Sequence, residues 1–152
     1  MLTQRLSELG ITLPPAPKPI GVYVPAVRSG NLIFLSGQLP LVEGKLPPEF
    51  TGKLGFNVSV EHAQAAVQQA TLNALAILQE MVGLDQVRRV VRLAGHVAST
   101  PVFTEQPKVL NAASELLGKV FGEAGVHARL ALGAISLPLD ACVEIELIVE
   151  VE

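Results

Sequence analysis

The sequence predicts an α+β domain, a mixed β-sheet with two helices packed on one face, in the order strand, strand, helix, strand, helix, strand, strand (ββαβαββ). Three observations carry that reading. Apolar residues recur with a 3.6-residue period between Ser59 and Val82, and again between Pro107 and Phe121. Strict alternation runs through Val143, Ile145, Leu147, Val149 and Val151, with Glu144, Glu146 and Glu150 between them. The remaining apolar segments are short and bounded by Gly, Pro or Asn, as strands are.

Residues 1–19 read as an extended lead-in to a single domain over 20–152, because Pro14, Pro15, Pro17 and Pro19 fix φ and bias their predecessors away from helix. Gly21–Val27 and Leu32–Ser36 are the first two strands, a hairpin closed by Arg28-Ser29-Gly30-Asn31. Gly37–Asn57 is rich in Gly and Pro and has no periodicity, so it is a long loop, functional as easily as decorative.

The helix that follows buries Ala63, Ala66, Val67, Ala70, Ala74, Ile77, Leu78 and Met81. Ser59 caps it, Glu61 complements the positive end of its dipole, and Gly83 supplies the stop. Val87–Ala98 is a valine-rich strand ending before Thr100-Pro101. Pro107–Phe121 is the second helix, followed by Gly122 and Gly125, and Arg129–Ser136 and Cys142–Val151 are the last strands.

Composition narrows the function. At 152 residues, 49% hydrophobic and only 16% charged, with mean hydropathy +0.45, the chain is more apolar than an ordinary single domain, which buried subunit interfaces would account for. No run reaches the roughly 18 apolar residues of a membrane span. Charges near the N-terminus replace the apolar stretch of a signal peptide, so a cytoplasmic protein is expected. Net charge −3, no tryptophan and 4% aromatics argue against a nucleic-acid module. The single cysteine, Cys142, and the scattered His62, His96 and His127 offer no metal-ligand spacing.

Arg129 is the conspicuous residue, because no other charge occurs between it and Asp140. An arginine in an apolar strand needs an acid or another acceptor. If the last two strands pair with an odd index sum, Arg129 shares a face with Glu144; an even sum separates them. An exposed cross-strand ion pair, worth only about 0 to 1 kcal/mol, is the competing reading. Ser36-Gly37-Gln38 could present amides to an anion, Tyr23 could offer a hydroxyl, and Asn111 is out of place in an apolar helix. His96 and His127 read as structural or interface residues.

Taken together, Gly21–Val27, Gly30–Pro40, Asn111, Ala128-Arg129, Leu137-Pro138 and Val143–Glu146 resemble, in order, the motifs of the RidA (YjgF) family of imine deaminases, also labelled endoribonuclease L-PSP. The resemblance covers Ile20 to Val151. It implies a chorismate-mutase-like fold and a homotrimer whose sheets line an inner barrel, with clefts between subunits. It assigns substrate-carboxylate binding to Arg129, activation of water to Glu144, and the cleft lining to Tyr23, Ser36, Gly37 and Asn111. No metal or organic cofactor, membrane or nucleic-acid partner is expected. The implied reaction is hydrolysis of 2-aminoacrylate-type enamines and imines to 2-keto acids and ammonia. The chain departs from the family at Ala131, where many members carry cysteine, and in its longer N-terminus. Those departures keep one alternative in view, a protein that binds small carboxylates without turnover; the label attached to the family supplies another, further back, a ribonuclease or translation inhibitor.

Overall fold

The computed structural model describes residues 1–152. It contains α1 (Leu2–Glu8), β1 (Ala26–Ser29), β2 (Leu32–Leu35), α2 (Val60–Met81), β3 (Val87–Ala98), α3 (Gln106–Phe121), β4 (Ala128–Ala134) and β5 (Val143–Val151). The strands form one mixed sheet in the order β1-β2-β5-β3-β4. Only β3 and β4 are parallel neighbours, and α3 supplies the crossover that such a pair requires. Strand β5 lies between β2 and β3, antiparallel to both. No helix is long and apolar enough to cross a membrane.

Both long helices cover the same sheet face. Alternation in β5 buries Val143, Ile145, Leu147, Val149 and Val151 against α2 and α3, together with Val90, Leu93 and Val97 of β3. Helix α2 starts where its cap predicts, with Ser59 Oγ accepting from the His62 amide at 3.0 Å, and it ends before Gly83 at φ 84°. The opposite sheet face has no helix. Val27, Phe34 and Leu132 are exposed there at 54%, 42% and 47%, so this face carries apolar surface that the chain itself leaves uncovered.

Three expectations are corrected. The first strand begins at Ala26 rather than Gly21: the ladder runs as far as the Pro25 carbonyl, which accepts from Ser36 N at 2.9 Å, and Pro25 has no N–H with which to continue it. The lead-in is not extended throughout, because α1 precedes the prolines and lies beyond their influence. So short a helix is held by docking: Leu6 is buried, Arg5 Nε donates to the Lys119 carbonyl at 2.6 Å, and Leu2 N donates to Asp85 Oδ1 at 2.7 Å. Third, the last two strands do not form a hairpin. β3 separates them.

The loop over residues 37–57 is pinned to the domain. Gln38 exchanges backbone hydrogen bonds with Ile145, and Thr51 bridges Ala141. Asn73, buried on α2, donates to the Leu39 and Leu41 carbonyls at 3.1 and 3.0 Å, and Gln69 adds a bond to Leu41 at 3.3 Å. Asn73 falls on the 3.6-residue stripe between Ala70 and Ile77, a polar residue at a core position whose spacing is legible in the sequence.

Candidate functional site

Register decides where the charged residues point. Arg129 aligns with Leu93, and Leu93 aligns with Leu147, so all three share the helix-covered face. Glu144 aligns with His96, and His96 with Leu132, on the open face. Arg129 and Glu144 of one chain therefore cannot meet: the two strands do not pair, so no index sum applies, and the registers through β3 remove the cross-strand ion pair.

Arg129 is exposed at the sheet edge beside α3. Its Nη1 donates to Asn111 Oδ1 at 2.9 Å and to Ser114 Oγ at 3.2 Å. It takes part in none of the chain's ion pairs. Nε–H and both Nη2 hydrogens have no hydrogen-bond partner in the chain, so one side of the guanidinium remains available to an external acceptor. Asn111 thus belongs with Arg129.

Tyr23, Ser36, Gly37 and Glu144 come together elsewhere, in an open pocket of about 480 Å³ shared with Pro17–Ile20, Leu39, Leu41 and Pro138. A Cβ at Gly37 would overlap the Glu144 carboxylate, so any larger residue there would have to push that flexible side chain aside. Ser36 Oγ donates to the Val24 carbonyl at 2.7 Å and so ties the Tyr23 segment to the end of β2. Burial raises the Glu144 carboxyl above the ordinary glutamate value; His96 opposes the rise and Glu146 adds to it. A carboxylate so placed is a stronger base than an exposed one. Pro17–Ile20 and Pro138 were not singled out as site residues in the sequence. Their signal was the proline run leading directly into Tyr23.

Cys142 is buried and its thiol is pushed up to about 12 by that burial, so it is no nucleophile at neutral pH. His127 contacts Ser114 and the Gly125 carbonyl. His96 lies beside Glu144 in the ladder.

A five-stranded mixed sheet carrying both long helices on one face defines a chorismate-mutase-like α+β fold. The chain belongs to the YjgF family: the family model described as "YjgF/chorismate_mutase-like, putative endoribonuclease" matches residues 3–151. The match takes in the N-terminal segment as well as the domain from Ile20 onward. Among solved structures, Atu1372 of Agrobacterium tumefaciens, whose function is unknown, is 46% identical with a TM-score of 0.90, over 99% of this chain and 92% of that one. Protein TCP17 of Trypanosoma cruzi is 44% identical over 148 residues, 96% of this chain and 91% of the relative. A more distant relative from Dermatophagoides farinae, 29% identical over 93% of this chain and 95% of its own length, is named 2-iminobutanoate/2-iminopropanoate deaminase.

Proposed function

We propose that the protein is a cofactor-independent imine and enamine deaminase acting in clefts between the subunits of a homotrimer. Each cleft pairs Arg129 and Asn111 of one subunit with Tyr23, Ser36, Gly37 and Glu144 of its neighbour. The observation that carries this reading is the division of the candidate residues between two incomplete half-sites on opposite faces of one sheet. A second copy against the open face supplies what one chain lacks. The deaminase name of the Dermatophagoides farinae relative supports the reaction class.

The chemistry follows from the residue types. The open side of Arg129 receives the substrate carboxylate through charge-assisted hydrogen bonds and fixes the adjacent C=N group. Glu144 takes a proton from a water molecule as the water oxygen bonds to the imine carbon, and the nitrogen takes a proton from solvent to give a carbinolamine. Glu144 returns its proton to that nitrogen, the C–N bond breaks, and the hydroxyl gives its proton to solvent as it becomes the carbonyl. The products are a 2-keto acid and ammonia. Enamines enter the same route after tautomerising to the imine.

Ammonia release from imines generated in situ by an amino acid oxidase or a threonine dehydratase tests this function, with Arg129→Ala as control. Wild-type acceleration that the variant lacks is expected; equal rates with and without protein would overturn it. A binding protein for small carboxylates is the second reading, favoured by the absence of any reactive thiol, with Ala131 on β4 and Cys142 buried. Calorimetric binding of 2-ketobutyrate without any turnover would select it.

A further inference from the structure

Arg129 stands at one end of a hydrogen-bonded chain that the proposed reaction leaves unexplained. Beyond its bond to Arg129, Ser114 Oγ lies 3.0 Å from His127 Nε2, and His127 Nδ1 lies 2.6 Å from the Gly125 carbonyl oxygen. The last contact sets the direction of the rest. A carbonyl only accepts, so Nδ1 carries the hydrogen and Nε2 of the neutral ring is an acceptor. Ser114 then donates its one hydrogen to His127 and turns lone-pair density toward Arg129. The anchor is itself fixed: Gly125 is buried, and a Cβ there would overlap the Leu117 carbonyl, so this turn is pressed against α3.

The consequence falls on the guanidinium. An arginine can grip a carboxylate end-on, through Nη1 and Nη2, or side-on, through Nε and Nη2. Asn111 and Ser114 between them occupy Nη1, which leaves the side-on edge open. Without Ser114 held in its acceptor role, one Nη1 hydrogen is released and the planar group is free to swing about its last torsion.

We infer that Ser114 and His127 are positioning residues that select the Nε/Nη2 edge of Arg129 for the ligand carboxylate, an inference that rests on the carboxylate-binding role proposed for Arg129. Neither residue touches the reacting carbon. Their effect is on binding and orientation, and they act in series on one group.

The test measures calorimetric affinity for 2-ketobutyrate, and KM and kcat for imine hydrolysis, on the full-length protein and on Ser114→Ala, His127→Ala, the double variant, Ser114→Thr and Arg129→Ala. Alanine is the best helix former, so Ser114→Ala leaves α3 intact. Each single alanine variant is expected to weaken 2-ketobutyrate and raise KM by roughly five- to tenfold, the scale of one net hydrogen bond at an exposed site. kcat should stay within about twofold, since the lost interaction is one of binding. The double variant should be no worse than Ser114→Ala, because residues in series do not add. Ser114→Thr, which keeps the hydroxyl, should restore affinity.

Wild-type affinity in both single variants, with binding lost in Arg129→Ala, overturns the inference and leaves the parent reading standing. Losses in kcat with KM unchanged also overturn it. Wild-type affinity in Arg129→Ala, or no binding by the wild type, overturns the parent reading and this inference with it.

Discussion

Arg129 and Glu144 project from opposite faces of one sheet, with β3 lying between their strands: Arg129 shares a row with Leu93 and Leu147 under the helices, and Glu144 shares one with His96 and Leu132 on the open side. The arginine is thereby kept from Glu144 of its own chain. Its unpaired edge and the Glu144 pocket are complementary in charge and chemistry, yet they cannot close on each other within a chain.

Gly37 touches the Glu144 carboxylate without room for a side chain. Gly37→Ala should displace the acid and lower kcat/KM for imine hydrolysis by at least about tenfold. Far-UV circular dichroism should show the fold retained, because the added methyl group faces the pocket rather than the core. An unchanged kcat/KM would separate Glu144 from the chemistry.

The raised Glu144 carboxyl predicts two pH effects of opposite sign. As the base must be ionised, kcat/KM should fall on an acid limb as pH drops through the raised value, and Glu144→Gln should remove that limb with most of the activity. For stability, the fold favours the protonated acid. That contribution is complete below the ordinary value of 4.5 and is lost as pH rises through the folded-state value. Glu144→Gln should therefore melt above wild type at pH 7, with the difference closing toward pH 4. Differential scanning calorimetry at the two pH values reads it.

Asn73 anchors the strip that carries Leu39 and Leu41 along the Glu144 pocket. Asn73→Leu keeps the branched shape of the side chain but leaves the buried Leu39 carbonyl without this donor, and should cost about 1–3 kcal/mol in urea unfolding. Gln69→Ala should cost less, since Asn73 still serves both carbonyls.

The open-face row of exposed Val27 and Phe34 and half-buried Ile148 should meet other copies of the chain. Phe34→Glu should yield a folded monomer by sedimentation velocity, with imine hydrolysis lost, because the proposed cleft draws on two subunits. A trimer with normal activity would show that this row is not the contact.

The parts of this structure that were legible in the sequence are those fixed by local periodicity. Alternation in Val143–Val151 sorts core from open face residue by residue, and Ser59 and Gly83 bracket α2 through capping chemistry that needs no tertiary context. Register between distant segments was not legible. Arg129–Ser136 and Cys142–Val151 are close in sequence and read as a hairpin, but the intervening residues carry the chain past the end of β3. Leu139 and Asp140 sit there at φ 59° and 61°, a reversal that their identities do not announce. The docking of α1 depends on Lys119 and Asp85, more than 80 positions away. The site residues were visible as types; their separation onto opposite faces follows from the registers that β3 makes with β4 and with β5.

Subunit complementation tests the central claim most directly. Arg129→Ala and Glu144→Ala, each inactive as a homotrimer, are unfolded, mixed in equal amounts and refolded together. If each cleft draws Arg129 from one subunit and Glu144 from the next, random assembly rebuilds roughly a quarter of the clefts, and imine hydrolysis should return to about a quarter of the wild-type rate. Activity that stays at the level of the two separate variants, in a mixture shown by mass spectrometry to contain mixed trimers, would contradict it.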